Sequence, residues 1–153
     1  MYYFFHEASV PSIFNGIVGR VRNGFDTKEP LPYQLARSPG GCGGTLISSR
    51  FAITAKHCDN LGQWDSMAFI AGKFYKNYNP SDEYVQKRWV KKVYGDKIPG
   101  FHPDLVVVEF EEPFNLVPGV IEPACLPTQK VDVGTKCYVS GWGRGSGESL
   151  KVA

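Results

Sequence analysis

The chain has 153 residues, with 17 Lys and Arg against 15 Asp and Glu. The resulting net charge of +2 is too mild to point by itself to a nucleic-acid or membrane-surface partner. With 42% hydrophobic and 21% charged residues, wholesale disorder is excluded, and no apolar run approaches the roughly 20 residues that a bilayer-crossing helix needs. From the N-terminus, residues 1–16 read as a leader or propeptide remnant. Met1–Val10 lacks a basic start, and its apolar stretch breaks at His6 and Glu7, so it is not a secretory signal. Thereafter the hydrophobic period is two. Strands are predicted at Tyr33–Ala36, Thr45–Ile47, Phe51–Ala55, Met67–Ala71, Tyr84–Tyr94, Leu105–Phe110 and Cys137–Ser140. Turn clusters separate them: SPGG (38–41), NYNP (77–80), YGDK (94–97) and VPG (117–119). Residues 117–128 carry three prolines and read as an extended connector. Glu148–Ala153 alternates without a turn signal, like a strand cut short. The plan is all-β, an antiparallel barrel over residues 17–119, with 120–153 as connector and one opening strand.

Four cysteines with no CxxC pair argue against a structural zinc site and for half-cystines in an oxidising compartment. In Cys42–Asp59, an apolar strand pair runs into His57, flanked by Cys58. A Cys42–Cys58 disulfide would tie the end of this hairpin to its start, worth about 3 kcal/mol in the chain-entropy model. It would also hold His57 on a rigid corner, as a general base requires. A zinc site from Cys42, His57 and Cys58 is disfavoured, because adjacent residues on a strand point to opposite sides. In Phe101–Phe110, Asp104 heads a near-continuous apolar strand. A carboxylate there is expected to be largely desolvated, which a partner such as a histidine ring N–H would offset. The basic set Lys87, Arg88, Lys91 and Lys92 reads as a solvated strand face ahead of a polyanion exosite, since the excess charge is small.

Several blocks, in order, resemble the trypsin/chymotrypsin family of serine proteases. They are IVGR (17–20), PYQ (32–34), TAKHC (54–58), DLVVV (104–108), PACLP (123–127) and CYVSGWG (137–143). Each is weak alone; their order and spacing make the signal specific. The resemblance implies a trypsin-like antiparallel β-barrel, complete for the first barrel and only begun for the second. It also implies His57 as general base, Asp104 as the carboxylate that orients it, and Ile17 as a mature N-terminus. It implies a secreted, extracellular serine endopeptidase made as a zymogen, with peptide or protein substrates, no cofactor or metal, and no nucleic-acid or membrane partner.

Four departures qualify it. There is no Gly-Asp-Ser-Gly-Gly loop, so the chain alone is expected to be inactive. Ser146, in GRGSGE, reads as part of a flexible Gly/Ser loop and not as a substitute nucleophile. Gly16 stands before Ile17 where a trypsin-activated zymogen has Arg or Lys, and Lys56 stands beside His57 where the family has a small residue. Cys125 and Cys137 resemble half-cystines whose partners lie in a propeptide and a second barrel. They are therefore expected as free thiols, and Cys137–Trp142 as a strand without neighbours in a chain prone to self-associate. The alternative function is a non-catalytic homologue, a binding or regulatory module on the same fold.

Overall fold

In a computed structural model, the described residues are 25–26, 31–38, 42–59, 62–73, 83–95, 104–138, 140–141 and 151–152. Six antiparallel strands account for most of the order: β2 (Gln34–Ser38), β3 (Gly43–Leu46), β4 (Phe51–Thr54), β5 (Ala68–Ala71), β6 (Gln86–Tyr94) and β7 (Val106–Phe110). They close in the order β2-β3-β4-β7-β6-β5, with β5 returning to β2 through Ala36 opposite Ile70. Closure leaves the barrel without a free edge, and the all-β barrel implied by the resemblance is the fold found.

Local chemistry explains the strand ends. The β3–β4 turn is tightened by Ser48, whose Oγ accepts from the N–H groups of Arg50 and Phe51 at 3.3 and 3.2 Å. After β5, Gly72 takes φ +72°, and a Cβ there would sit 2.3 Å from the Tyr84 carbonyl oxygen, so the chain crosses at a point only glycine fits. On β6 a bulge shifts the register between Val90, opposite Phe110, and Lys92, opposite Glu109. Its outer face is wet, as the alternation implies, with Lys87 and Lys92 stacked over Trp89 and Tyr94 at 4.4 and 4.7 Å.

Inward side chains of every barrel strand meet in one core. Phe110 is its centre, packed edge-to-face on Phe69 at 5.8 Å and on Phe114 at 5.0 Å, with Leu35, Leu46 and Val108 fully buried around it. Trp64 and Met67 close one end from a single 3-10 turn (Trp64–Ser66), an element that the period-two pattern did not reveal. Past β7, Val117 pairs with Ile121 across the expected VPG turn, where Gly119 has φ +73°, and Ile121 is buried in the same core. The connector is then tied back by Glu122 N–H to the Pro32 carbonyl (3.1 Å) and Ala124 N–H to the Leu46 carbonyl (2.8 Å).

A second sheet joins distant parts of the chain: β1 (Phe25–Asp26), β9 (Lys151–Val152) and β8 (Ser140–Gly141), in the order β1-β9-β8. This corrects the expectation of an unpartnered strand at Cys137–Trp142. Only Ser140–Gly141 is strand among its described residues, and that strand is paired with Lys151–Val152. The physical reason is that residues 151–152 lie antiparallel between 140–141 and 25–26, supplying the missing hydrogen-bond partners. Ser140 Oγ further bonds the buried Gln34 Oε1 at 2.8 Å, linking this sheet to the barrel. The leader (1–16), Ile17, the NYNP turn, His102, Trp142 and Ser146 lie outside the described residues.

Candidate active site

The β4–β7 register builds the site. Thr54 stands opposite Val106, so the residues just after β4 meet those just before β7. The chain leaves β4 through Ala55 into a 3-10 turn, Lys56–Cys58, closed by Cys58 N–H to the Ala55 carbonyl (3.1 Å) and Asp59 N–H to the Lys56 carbonyl (3.1 Å). Cys58 is buried in the core and bonded to Cys42, with Cα atoms 6.0 Å apart. Thr54 Oγ1 donates to the Gly43 carbonyl at 2.8 Å and clasps the same corner from the side of β3.

On that corner His57 faces Asp104. The His57 N–H donates to Asp104 Oδ1 at 2.9 Å, and His57 Nδ1 lies 2.5 Å from Oδ2. The carboxyl is held below the usual aspartate range, first by the backbone N–H of His57 and then by its ring, with a further contribution from the backbone N–H of Lys56. An ionised carboxylate only accepts, so Nδ1 donates to it, and in the neutral ring the lone pair is then on Nε2. This is the tautomer required of a base that takes a proton at Nε2. The spacing of backbone donors in the 3-10 turn was not readable from residue types.

One expectation is corrected. Asp104 is not desolvated: its side chain is 57% exposed and that of His57 64%. The apolar run of β7 is buried from Val106 onward, but Asp104 and the half-exposed Leu105 sit beyond the last barrel pairing and nothing among the described residues covers them. The geometric objection to a Cys42–His57–Cys58 grouping is also corrected. His57 and Cys58 lie in a turn, not a strand, and one ligand atom from each of the three residues falls within 4.8 Å of the others. The two sulfurs are bonded to each other and are not thiolates. Cys125 and Cys137 are free and exposed.

The family profile described as Trypsin matches residues 21–152. The chain belongs to the trypsin family. Among its relatives are a thrombin-like enzyme, kangshuanmei, of Gloydius brevicauda, 34% identical over 107 residues that cover 67% of this chain and 42% of that protein. Phenoloxidase-activating factor 3 of Holotrichia diomphalia is 31% identical over 120 residues, covering 67% and 34%. The snake venom serine protease salmobin of Gloydius halys is 33% identical over 106 residues, covering 67% and 38%. The matched stretch thus spans about two-fifths or less of the length of these trypsin-family relatives. Both members of the dyad, the Cys42–Cys58 bridge and all six barrel strands fall inside the Trypsin match, whereas Ile17 lies before it.

Proposed function

We propose that this chain is the first-barrel portion of a secreted serine endopeptidase that hydrolyses peptide bonds through an acyl-enzyme. The observation that carries the reading is the His57 Nδ1–Asp104 Oδ2 pairing on a disulfide-braced corner of a trypsin-family barrel. In that reading Nε2 of His57 removes the proton from a serine hydroxyl as it attacks the substrate carbonyl, then returns it to the leaving amine. Asp104 fixes the tautomer and balances the imidazolium. In this reading residues 17–119 are the first-barrel unit, with Ile121 of the connector completing its core, 120–153 lead on toward a second barrel, and protein substrates dock where His57, Asp104 and Leu105 are exposed. The disulfide supports an extracellular setting.

The 153 residues contain no Gly-Asp-Ser-Gly-Gly sequence, so the chain alone is expected to be catalytically silent. Purified, it should neither hydrolyse peptide amides nor label with a fluorophosphonate; stoichiometric labelling at Ser146 overturns the reading. Ultracentrifugation should find the free chain self-associating through the uncovered dyad face, and a monomer at all concentrations rejects that part. For maturation, IVGR favours a new N-terminus at Ile17, while the basic side chain of Arg20 favours cleavage before Val21. N-terminal sequencing of the secreted protein separates the two. A non-catalytic homologue is the second reading, favoured by Lys56 beside His57. Reading the transcript past Ala153 for a serine-bearing glycine loop decides between them.

A further inference from the structure

The grouping of Cys42, Cys58 and His57 has chemistry beyond bracing a turn. The two sulfurs, bonded to each other, and one of the two ring nitrogens of His57 lie within 4.8 Å of one another on the same corner. While the sulfurs are bonded to each other they are poor donors, because a soft cation is held by thiolate. We propose that opening of the Cys42–Cys58 bond by a thiol reductant creates a three-ligand site for zinc or a similar thiophilic divalent cation, formed by both cysteines and His57. The chemistry balances. A dithiol passes two electrons and two protons to the sulfurs and closes into its own disulfide; the cation then displaces the two thiol protons, leaving a neutral two-thiolate site.

Contacts other than the disulfide also hold the two segments that carry this site. Cys42 is placed by the register of β3 with β4, Gly44 opposite Thr54, and Cys58 by the 3-10 turn that follows β4. The Thr54–Gly43 clasp at 2.8 Å holds the two segments together independently. Tetrahedral zinc, with Zn–S near 2.3 Å and Zn–N near 2.0–2.1 Å, needs sulfurs about 3.8 Å apart and each about 3.6 Å from the nitrogen. With Cα atoms 6.0 Å apart, the two reduced cysteines would part their sulfurs to that spacing by side-chain rotation. Two thiolates and an imidazole select zinc over magnesium or calcium.

Asp104 supplies a second, independent argument. It holds Nδ1 of His57 at 2.5 Å, which leaves the Nε2 lone pair for a cation. A carboxylate on the far ring nitrogen is the arrangement that orients metal-ligating histidines and raises their basicity. The cation would occupy the same lone pair that serves as the base, so the reduced, metal-loaded state is an off state. That consequence rests on the reading of His57 given above; the cation site itself does not.

The test uses the full chain carrying C125S and C137S, which removes the two exposed free thiols. It is reduced with a dithiol, freed of it by anaerobic gel filtration, and titrated with Zn2+ alone by calorimetry and near-ultraviolet circular dichroism. The reduced chain should bind one zinc per chain and the oxidised chain none. H57A should weaken binding at least tenfold, and D104N by about 10–100-fold. Absence of binding, affinity indifferent to His57, or tighter binding in D104N overturns the proposal. If the reduced chain loses its aromatic signal, zinc should restore it, and failure to do so counts against the site. The titration reads binding and not turnover, so its failure leaves the endopeptidase reading intact.

Discussion

The closed barrel and the stretch that follows it are built from similar residues and end up differently. In the barrel, Leu35, Leu46 and Phe110 are wholly buried; in the stretch from 122 to 138, Leu126 is 56% exposed and Val133 entirely so. Lys130–Gly134 alternates much as a strand does, yet it pairs with nothing among the described residues. Alternation therefore marks a segment that is able to be a strand, and a neighbouring strand makes it one. The barrel supplies each of its six strands with two neighbours; among the described residues the later stretch is paired only in the short β1-β9-β8 sheet.

The sharpest way to break this contrast is to cut the centre of the barrel. Phe110→Ala removes a ring packed on Phe69 and Phe114 and should cost about 3–5 kcal/mol in denaturant unfolding, whereas Val133→Ala should stay within about 0.5 kcal/mol. Equal losses would mean that the two regions share one core. Next in size is the brace at the site. Replacing Cys42 and Cys58 together with alanine should destabilise the barrel by about 2–4 kcal/mol, and a non-reducing peptide map of the parent chain should recover Cys42 joined to Cys58.

Gly72 gives a smaller, local version of the comparison. Gly72→Ala meets both a left-handed backbone and the Tyr84 carbonyl, and should cost about 1–3 kcal/mol. Gly134→Ala shares the positive φ but opens onto free space, and should cost less. The smallest effect concerns Asp104. Its carboxyl is held below the ordinary range in the folded chain by His57 and the Lys56 N–H. Its contribution to stability is therefore present above the unfolded-state pKa and is lost as the pH falls through the depressed folded value. Thermal melts across that acidic window should show this loss in the parent chain and not in Asp104→Asn. The exposure of the pair keeps the effect modest, and an identical profile for the two proteins would sever the inferred link.

Much of this was legible from residue order. Period-two alternation located the six barrel strands to within a few residues, and the resemblance of the TAKHC and DLVVV blocks to the trypsin/chymotrypsin family brought forward His57 and Asp104, which meet at the site. The exposure of Asp104 was not legible, because the apolar run behind it says what β7 buries and nothing about what covers its first turn. Nor was β1, since a two-residue strand carries no period; β9 falls within the alternating Glu148–Ala153, but its pairing with β1, which spans nearly the whole chain, left no mark in the sequence. Trp64 was missed for a related reason: a single 3-10 turn leaves no repeating mark, although its indole closes the core.

That long-range pairing has a kinetic consequence. Phe25–Asp26 is synthesised before any barrel strand, but its partner Lys151–Val152 comes after the last of them. The barrel pairings all join segments closer in sequence, the farthest being β4 with β7, whereas the β1–β9 ladder must gather segments separated by most of the chain for only two residue pairs. Assembly should accordingly finish, and unfolding begin, at this seam. Amide protons at 25–26 and 151–152 should exchange well ahead of those in β4 and β7, whose ends position His57 and Asp104.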